Sequence, residues 1–184
     1  MNIFNDNLPA CESFIDVIED TNGNLVFLAK VFQRSRTIVC TFNSSGIMNS
    51  SFGDNGFYQR YDLIPQRILQ NGNKYLIGGY LLGDYSVMSL NKEGTLDMNF
   101  NNTGEFKFGG FNLMDMKLQT PEKLILGGSS NHNFAVARLS IPYETSVKQY
   151  PSFHSSIFPN PAKDYLYFNS DNSLKLWIYK AEYC

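Results

Sequence analysis

Residues 71–79 read Asn-Gly-Asn-Lys-Tyr-Leu-Ile-Gly-Gly: a turn dipeptide, an apolar run and a pair of glycines. Asn-Gly beside an apolar run is a strong short-range indication of a two-residue β-hairpin. The run is apolar on both faces, which is typical of a strand covered on two sides. Paired glycines at a strand end indicate a bulge or the close approach of another backbone segment. The stretch therefore predicts a buried strand that follows a tight hairpin.

This pattern repeats along the chain. Similar apolar runs occupy residues 25–29 and 124–128, and the second of them also ends on two glycines. Gly127 follows Gly78 by 49 positions. The intervening turn segment repeats after 48 positions, where Gly46, Phe52 and Gly56 recur as Gly94, Phe100 and Gly104. Self-similarity at a fixed period indicates a repeat architecture.

Each unit predicts four short strands, which in the second copy lie at 57–61, 64–70, 75–80 and 85–91. Units of ~40–50 residues with four strands have the dimensions of propeller blades. We therefore predict an all-β fold: a partial β-propeller of about three four-stranded, blade-like repeats plus a short C-terminal β segment. The repeats span 1–141, with units at about 9–57, 58–105 and 106–141, then a linker at 142–156 and the C-terminal segment at 157–184. Three units are too few to close a ring, which leaves missing upstream blades, pairing with another copy or an open arc as alternatives.

The composition argues against several classes of protein. Charged residues make up 17% of the chain, the net charge is −2, and Lys and Arg form no cluster, so a nucleic-acid partner is not expected. No apolar run approaches the ~18 residues of a membrane-spanning helix. The first six residues lack the basic and apolar regions of a secretory leader, so we expect no signal peptide in this chain.

The three cysteines form no zinc or redox motif, since none of them belongs to a Cys-x-x-Cys pair. When the fourth strands of the units are aligned, Cys40 falls where Met88 and Ala137 stand in the other copies. A small buried apolar group accounts for Cys40 at this position. A bridge between Cys11 and Cys40 remains an alternative.

The turn segments carry a family resemblance. Residues 96–104 resemble the Leu-Asp-x-x-Phe-Gly-x-x-Gly signature of the delta-60 repeat family, with Met48-Asn49 in place of Leu-Asp in the first copy and Asn101 in place of Gly in the second. The resemblance implies a propeller-like all-β fold in mostly exported bacterial proteins and no known reaction. A kelch propeller is the alternative, but the only Trp is Trp177, outside the repeats. The signature positions matched are Phe52, Gly53, Gly56, Leu96, Asp97, Phe100 and Gly104.

The segment at 157–168 is similar to the opening of the type IX secretion C-terminal sorting domain, with Pro159, Asn160 and Pro161 as its motif. Residues 174–179 resemble that domain's next strand, and its later strands are absent. The resemblance implies export to the surface of a Bacteroidetes-like bacterium, with the secretion machinery as partner. Two strands alone do not form a stable unit, so the segment packs on the repeats or stays loose.

Unrepeated polar residues are where a repeat fold can build a binding face. Asp62, Asp84 and Asp115 have no charged counterparts in the aligned units, and His132 lies in a predicted hairpin tip, so these four are the binding-face candidates. Asp97 is expected to cap a turn rather than to catalyse. No triad, phosphate loop or metal motif is visible, so we assign no catalytic residue.

We also assign no metal and no cofactor. The turns at 54–56 and 101–104 offer oxygen ligands of the kind calcium prefers, but Asx-Gly sequences are equally normal in turns. The recurring aromatic residues are expected to fill the core rather than to form a stacking platform, and they include Phe52, Phe57, Phe100, Phe106 and Phe134.

These features favour a non-catalytic, exported or cell-surface repeat module for binding or scaffolding, with a glycan or a protein as candidate ligand. One alternative is a fragment of an extracellular propeller hydrolase that acts on polysaccharide through carboxylates from several blades. The other is a truncated remnant without independent activity.

Overall fold

The computed structural model describes residues 13–31, 36–81, 84–130 and 132–143, and it gives the backbone alone for 165–167 and 176–180. These segments form three antiparallel sheets and contain no helix, so the predicted all-β, blade-like fold is confirmed. The first sheet has the order β1 (Ser13–Glu19), β2 (Leu25–Val31), β3 (Arg36–Phe42), β4 (Phe57–Arg60). The second has the order β5 (Leu63–Asn71), β6 (Lys74–Leu81), β7 (Asp84–Asn91), β8 (Glu105–Phe108). The third runs β9 (Asn112–Thr120), β10 (Lys123–Ser130), β11 (Asn133–Ser140), then β13 (Leu176–Lys180) and β12 (Tyr165–Tyr167).

The last strand of each sheet differs from the sequence prediction. The strand near residues 57–61 was expected to open the second unit, but β4 pairs with β3, and Tyr58 lies opposite Val39. Likewise β8 pairs with β7, and Phe106 lies opposite Val87. After each long turn the chain therefore doubles back onto the strand it has just left, and each sheet ends a few residues later than its repeat.

The turn segments are tight and repeat in detail. Asn49 and Asp97 occupy matching positions, and each side chain accepts the backbone N–H of the residue two positions on. The predicted capping role of Asp97 is thus confirmed. Gly53 and Asn101 both have positive φ, 60° and 52°, and Asn is one of the few residues besides Gly that tolerate this conformation. The departure from the signature at Asn101 therefore preserves the backbone shape.

The sheets pack face to face, and each interface is apolar. The cluster between the first and second sheets includes Val26, Leu28, Val39, Ile77, Met88 and Leu90. The cluster between the second and third includes Leu76, Val87, Leu124, Leu126, Ala135 and Ala137. Full burial of one such Val or Leu side chain is worth about 1.5–3 kcal/mol, so these interfaces hold the sheets together.

Cys40 lies buried at 3% exposure among Ile38, Phe42 and Phe57, on the face of the first sheet that points away from the second. Met88 and Ala137 lie on the corresponding faces of their own sheets. The predicted core position of Cys40 is confirmed, whereas Cys11 lies outside the described residues.

The first strands β1, β5 and β9 contact one another in sequence and carry the same irregularity. Pairing skips one residue in each, at Ile15, Gln66 and Met114. The double glycines lie opposite the last two of these bulges. A Cβ on Gly79 would lie 2.5 Å from the Ile64 carbonyl oxygen, and one on Gly128 would overlap the Asn112 carbonyl oxygen. The predicted close backbone approach is confirmed.

The C-terminal strands complete the third sheet. β13 pairs with β11 at the position that β4 and β8 take in the other sheets, and β12 pairs with β13. The segment was predicted either to pack on the repeats or to stay loose, and its two strands pack on the repeats. The linker and the Pro159–Asn160–Pro161 motif lie outside the described residues.

One aromatic prediction is wrong. Phe52, Phe57, Phe100 and Phe106 are buried, but the side chain of Phe134 is 61% exposed. Phe134 alternates with the inward-facing Ala135 and therefore points to the far face of the third sheet, on which no other described sheet packs.

Candidate functional site

A cavity of about 380 Å³ opens where the second and third sheets meet. Its walls come from the end of the β6–β7 hairpin, the β8–β9 connection and the end of the β10–β11 hairpin. A connected set of rings forms one wall: Tyr80 and Tyr85 make an edge contact at 5.1 Å, Tyr85 stacks with Phe108 at 6.5 Å, and Phe111 contacts Phe108 at 5.8 Å. Since Phe108 and Phe111 also belong to the core between the sheets, the wall is fixed by packing.

Polar groups form the opposite part of the lining. Asn112 begins β9 and donates its side-chain amide to the Ser129 hydroxyl at 3.4 Å. Ser130 and His132 follow at the tip of the next hairpin, where His132 has a φ of 65°. The cavity thus presents an amide, two hydroxyls and an imidazole opposite the aromatic wall.

Two glycines between β8 and β9, Gly109 and Gly110, also line the cavity. A Cβ on Gly110 would meet no atom within 4 Å, and one on Gly109 would lie 3.4 Å from a carboxylate oxygen of Asp84. Asp84 therefore borders the site without being part of its lining.

The structure separates the four predicted binding-face residues. His132 lines the cavity and Asp84 borders it, so these two lie at one site. Asp62 lies in the β4–β5 connection with a φ of 64°. Asp115 lies on β9, where it pairs in register with Gly127.

The expectation that Asp115 has no charged counterpart is wrong. Each bulge is followed by a charged residue at a matching position, and these residues are Asp16, Arg67 and Asp115. Arg67 Nε donates to Asp115 Oδ1 at 2.8 Å, and Asp16 Oδ2 accepts the backbone N–H of Ile68 at 3.1 Å. This row of charged residues links the first strands of the three sheets. The sequence comparison did not identify Asp16 and Arg67 as its members.

A buried carboxylate joins the first two sheets. Asp20 accepts the Tyr75 hydroxyl at 3.0 Å and the backbone N–H groups of Asn22 and Asn24 at 2.8 and 2.9 Å. Burial by itself raises the pKa of Asp20, but these hydrogen bonds, led by the Asn24 side chain, hold that pKa below its usual value. Burial and the neighbouring Asp20 raise the pKa of Tyr75, so the phenol stays protonated and donates. This cluster has a structural role, because its hydrogen-bonding groups are paired with one another within the fold.

Aromatic rings and the amide, hydroxyl and imidazole groups facing them define a site that can stack against and hydrogen-bond a small ligand. Among the residues that the structure describes, no three His, Cys, Asp or Glu side chains are grouped to hold a metal ion. In the same part of the chain, no helix has the length and apolarity needed to cross a membrane.

The fold and site define a class: an all-β, repeat-like protein of blade-like antiparallel sheets with a cavity between the second and third of them. A scan against protein-family models, a search of curated proteins and a search of solved structures each found no match to this chain.

Proposed function

We propose that this chain is a non-catalytic, exported or cell-surface module in which packed β-sheets hold a ligand-binding pocket. The observation that carries the proposal is the cavity between the second and third sheets, where aromatic and polar side chains converge. Clefts with this mixed lining are the usual sites of small-molecule recognition.

The scaffold suits such a role because its sheets are joined in several ways. Apolar clusters fill both interfaces, the backbone N–H of Gly53 reaches the carbonyl of Glu93 in the next turn segment at 2.8 Å, and Arg60 pairs with Glu105 across adjacent sheets at 3.0 Å. A site built on strand ends and packed rings keeps its geometry better than one on long loops.

Export is supported by the similarity of residues 157–168 to a secretion sorting domain. A fusion of residues 142–184 to a secreted reporter tests it in a bacterium that has type IX secretion. Surface delivery of the fusion, and its loss when Pro159, Asn160 and Pro161 are replaced by Ala, supports export. Equal delivery of both fusions, or of neither, contradicts it.

The binding role is tested with a mixed library of neutral, anionic, cationic and aromatic small molecules, screened by ligand-observed NMR. Gly109 lines the cavity, so Gly109→Val is expected to narrow it, and the backbone at Gly109 has no positive φ that Val would strain. Gly127→Val is the matched control, since a Cβ there meets only the Asp115 carbonyl at 3.9 Å and lies outside the cavity. Ligands lost in the first variant and kept in the second support the proposal; a library without such ligands contradicts it.

The same assay separates binding from the hydrolase alternative. Polysaccharides that bind are incubated with the protein, and the release of reducing ends is followed. Binding without release is the expected result, whereas release that Gly109→Val abolishes would replace the binding role by an enzymatic one.

A further inference from the structure

We infer that the cavity between the second and third sheets binds a neutral sugar ring. The inference rests on the proposed binding function and names its ligand class. It follows from three properties of the cavity: its rings, its hydrogen-bonding groups and its charge.

The rings come first. Tyr80 and Tyr85 are half-buried, and they line the cavity together with Phe108 and Phe111, which also belong to the core between the sheets. The rings of Tyr80 and Tyr85 stand at 62° to each other, so a ligand with a flat apolar side stacks on one of them at a time. The C–H face of a pyranose is such a side, and the core behind the wall prevents the rings from collapsing into the cavity.

The opposite lining matches the edge of the same ligand. An amide carries both donors and an acceptor, and each hydroxyl donates and accepts, so Asn112, Ser129 and Ser130 can satisfy hydroxyl groups in either sense. A sugar presents its hydroxyls around the ring edge, at right angles to the C–H faces. A purely aromatic ligand would use the wall but would form no hydrogen bonds with these polar groups in place of the water it displaces, which costs affinity.

Charge separates neutral from ionic ligands. His132 is the one ionisable side chain among the described lining residues apart from the two tyrosines. The nearest carboxylate described at the rim is Asp84, which would repel an anion and has no second acid beside it in the lining. The described lining therefore offers an anion no strong positive charge, and it offers a cation no group of negative charges.

Size limits the ligand to one or two rings. The cavity volume of about 380 Å³ is near the small end of the ~300–1,000 Å³ typical of ligand pockets. The cavity is open to solvent, so the reducing or non-reducing end of a longer glycan can enter while the rest stays outside.

Saturation-transfer NMR with methyl glucoside, methyl galactoside, methyl mannoside, N-acetylglucosamine and their dimers tests the inference on the full chain. We expect ring-proton signals with at least one of these neutral probes. The matching uronic acid should bind about tenfold more weakly or not at all. Gly109→Val should abolish the signals, and Gly127→Val should leave them unchanged.

Tyr80→Ala should weaken binding about tenfold, and Tyr80→Phe should restore most of it, because stacking needs the ring and not the hydroxyl. Heteronuclear spectra check that each variant is folded. Equal binding of the uronic acid, or sugar signals that survive Gly109→Val, would overturn the inference. If no sugar binds while another library compound binds in a Gly109-dependent manner, the inference fails and the proposed function stands; if nothing binds, both fail.

Discussion

The hydrogen bond between Tyr75 and Asp20 allows the junction of the first two sheets to be tested quantitatively. Tyr75→Phe removes only the hydroxyl, which donates to Asp20 Oδ2 at 3.0 Å, and it leaves the ring that fills the core. Both residues are buried, at 1% and 4% exposure. A hydrogen bond to a charged group is worth about 1.5–3 kcal/mol.

The loss should fall near the lower end of that range. Asp20 keeps the backbone N–H groups of Asn22 and Asn24, the Asn24 amide, and Lys92 at 3.9 Å, so the carboxylate is not left bare. We expect about 1.5–2 kcal/mol, which corresponds to a melting temperature lower by about 3–8 °C for a chain of this size.

Urea unfolding of wild type, Tyr75→Phe, Asp20→Asn and the double variant measures the coupling between the two side chains. A coupling free energy of about 1 kcal/mol is expected, and Tyr61→Phe, on an exposed ring, should change stability by less than about 0.5 kcal/mol. The reasoning is refuted if Tyr75→Phe matches the control, or if Asp20→Asn costs the same with and without the Tyr75 hydroxyl.

Three further predictions follow from the described geometry. Gly128→Ala should destabilise the fold by about 1–3 kcal/mol, because its Cβ overlaps a carbonyl, whereas Gly127→Ala should be neutral or slightly stabilising; equal urea midpoints would contradict this. The pKa of Asp20 lies below its ordinary value in the folded state, so the carboxylate stabilises the fold above about pH 4 and this contribution is lost as the pH falls further. Acid unfolding should therefore show a steeper loss of stability in wild type than in Asp20→Asn, and parallel curves would contradict this. Deletion of residues 144–184 should speed amide exchange in β11 and leave β3 and β7 unchanged, and unaltered β11 protection would show that β13 does not stabilise the third sheet.

The strands themselves were predictable from the sequence because their signals are local. The expected strand at 75–80 corresponds to Lys74–Leu81, and that at 85–91 to Asp84–Asn91. Alternating burial and Asn-Gly turns depend on neighbouring residues, so they can be recognised in the sequence without knowledge of the fold. The sheet that Phe57–Arg60 joins could not be predicted in this way, because the sequence of a four-residue strand does not indicate which sheet edge it pairs with.

The charged row was missed because the units do not keep one spacing. From Asp16 to Arg67 the shift is 51 positions and from Arg67 to Asp115 it is 48, whereas the glycine pairs are 49 apart. Loops of unequal length and the bulges absorb the difference. A comparison at the glycine shift of 49 therefore places Asp115 opposite Gln66, and the hydrogen-bond register restores the match with Arg67.

Only part of the cavity lining could be predicted from the sequence. His132 and Asp84 were among the predicted binding-face residues, but the aromatic side chains of the wall read as core residues in the sequence. Tyr80 and Tyr85 are recognised as site residues only in the folded structure, which places them in one cavity lining with Gly109 and Gly110. Absent side chains at a loop give no signal in a pattern of hydrophobicity.

The first two sheets are each built from one continuous stretch of chain, so each can assemble as soon as it leaves the ribosome. The third cannot, because its fourth strand comes from residues 176–180, far beyond β11. During synthesis β11 therefore presents a bare edge of backbone donors and acceptors, the kind of edge that recruits strands from other nascent molecules. The yield of folded protein in a cell should depend on how quickly that edge is covered, and a pause in translation just after β11 should favour aggregation.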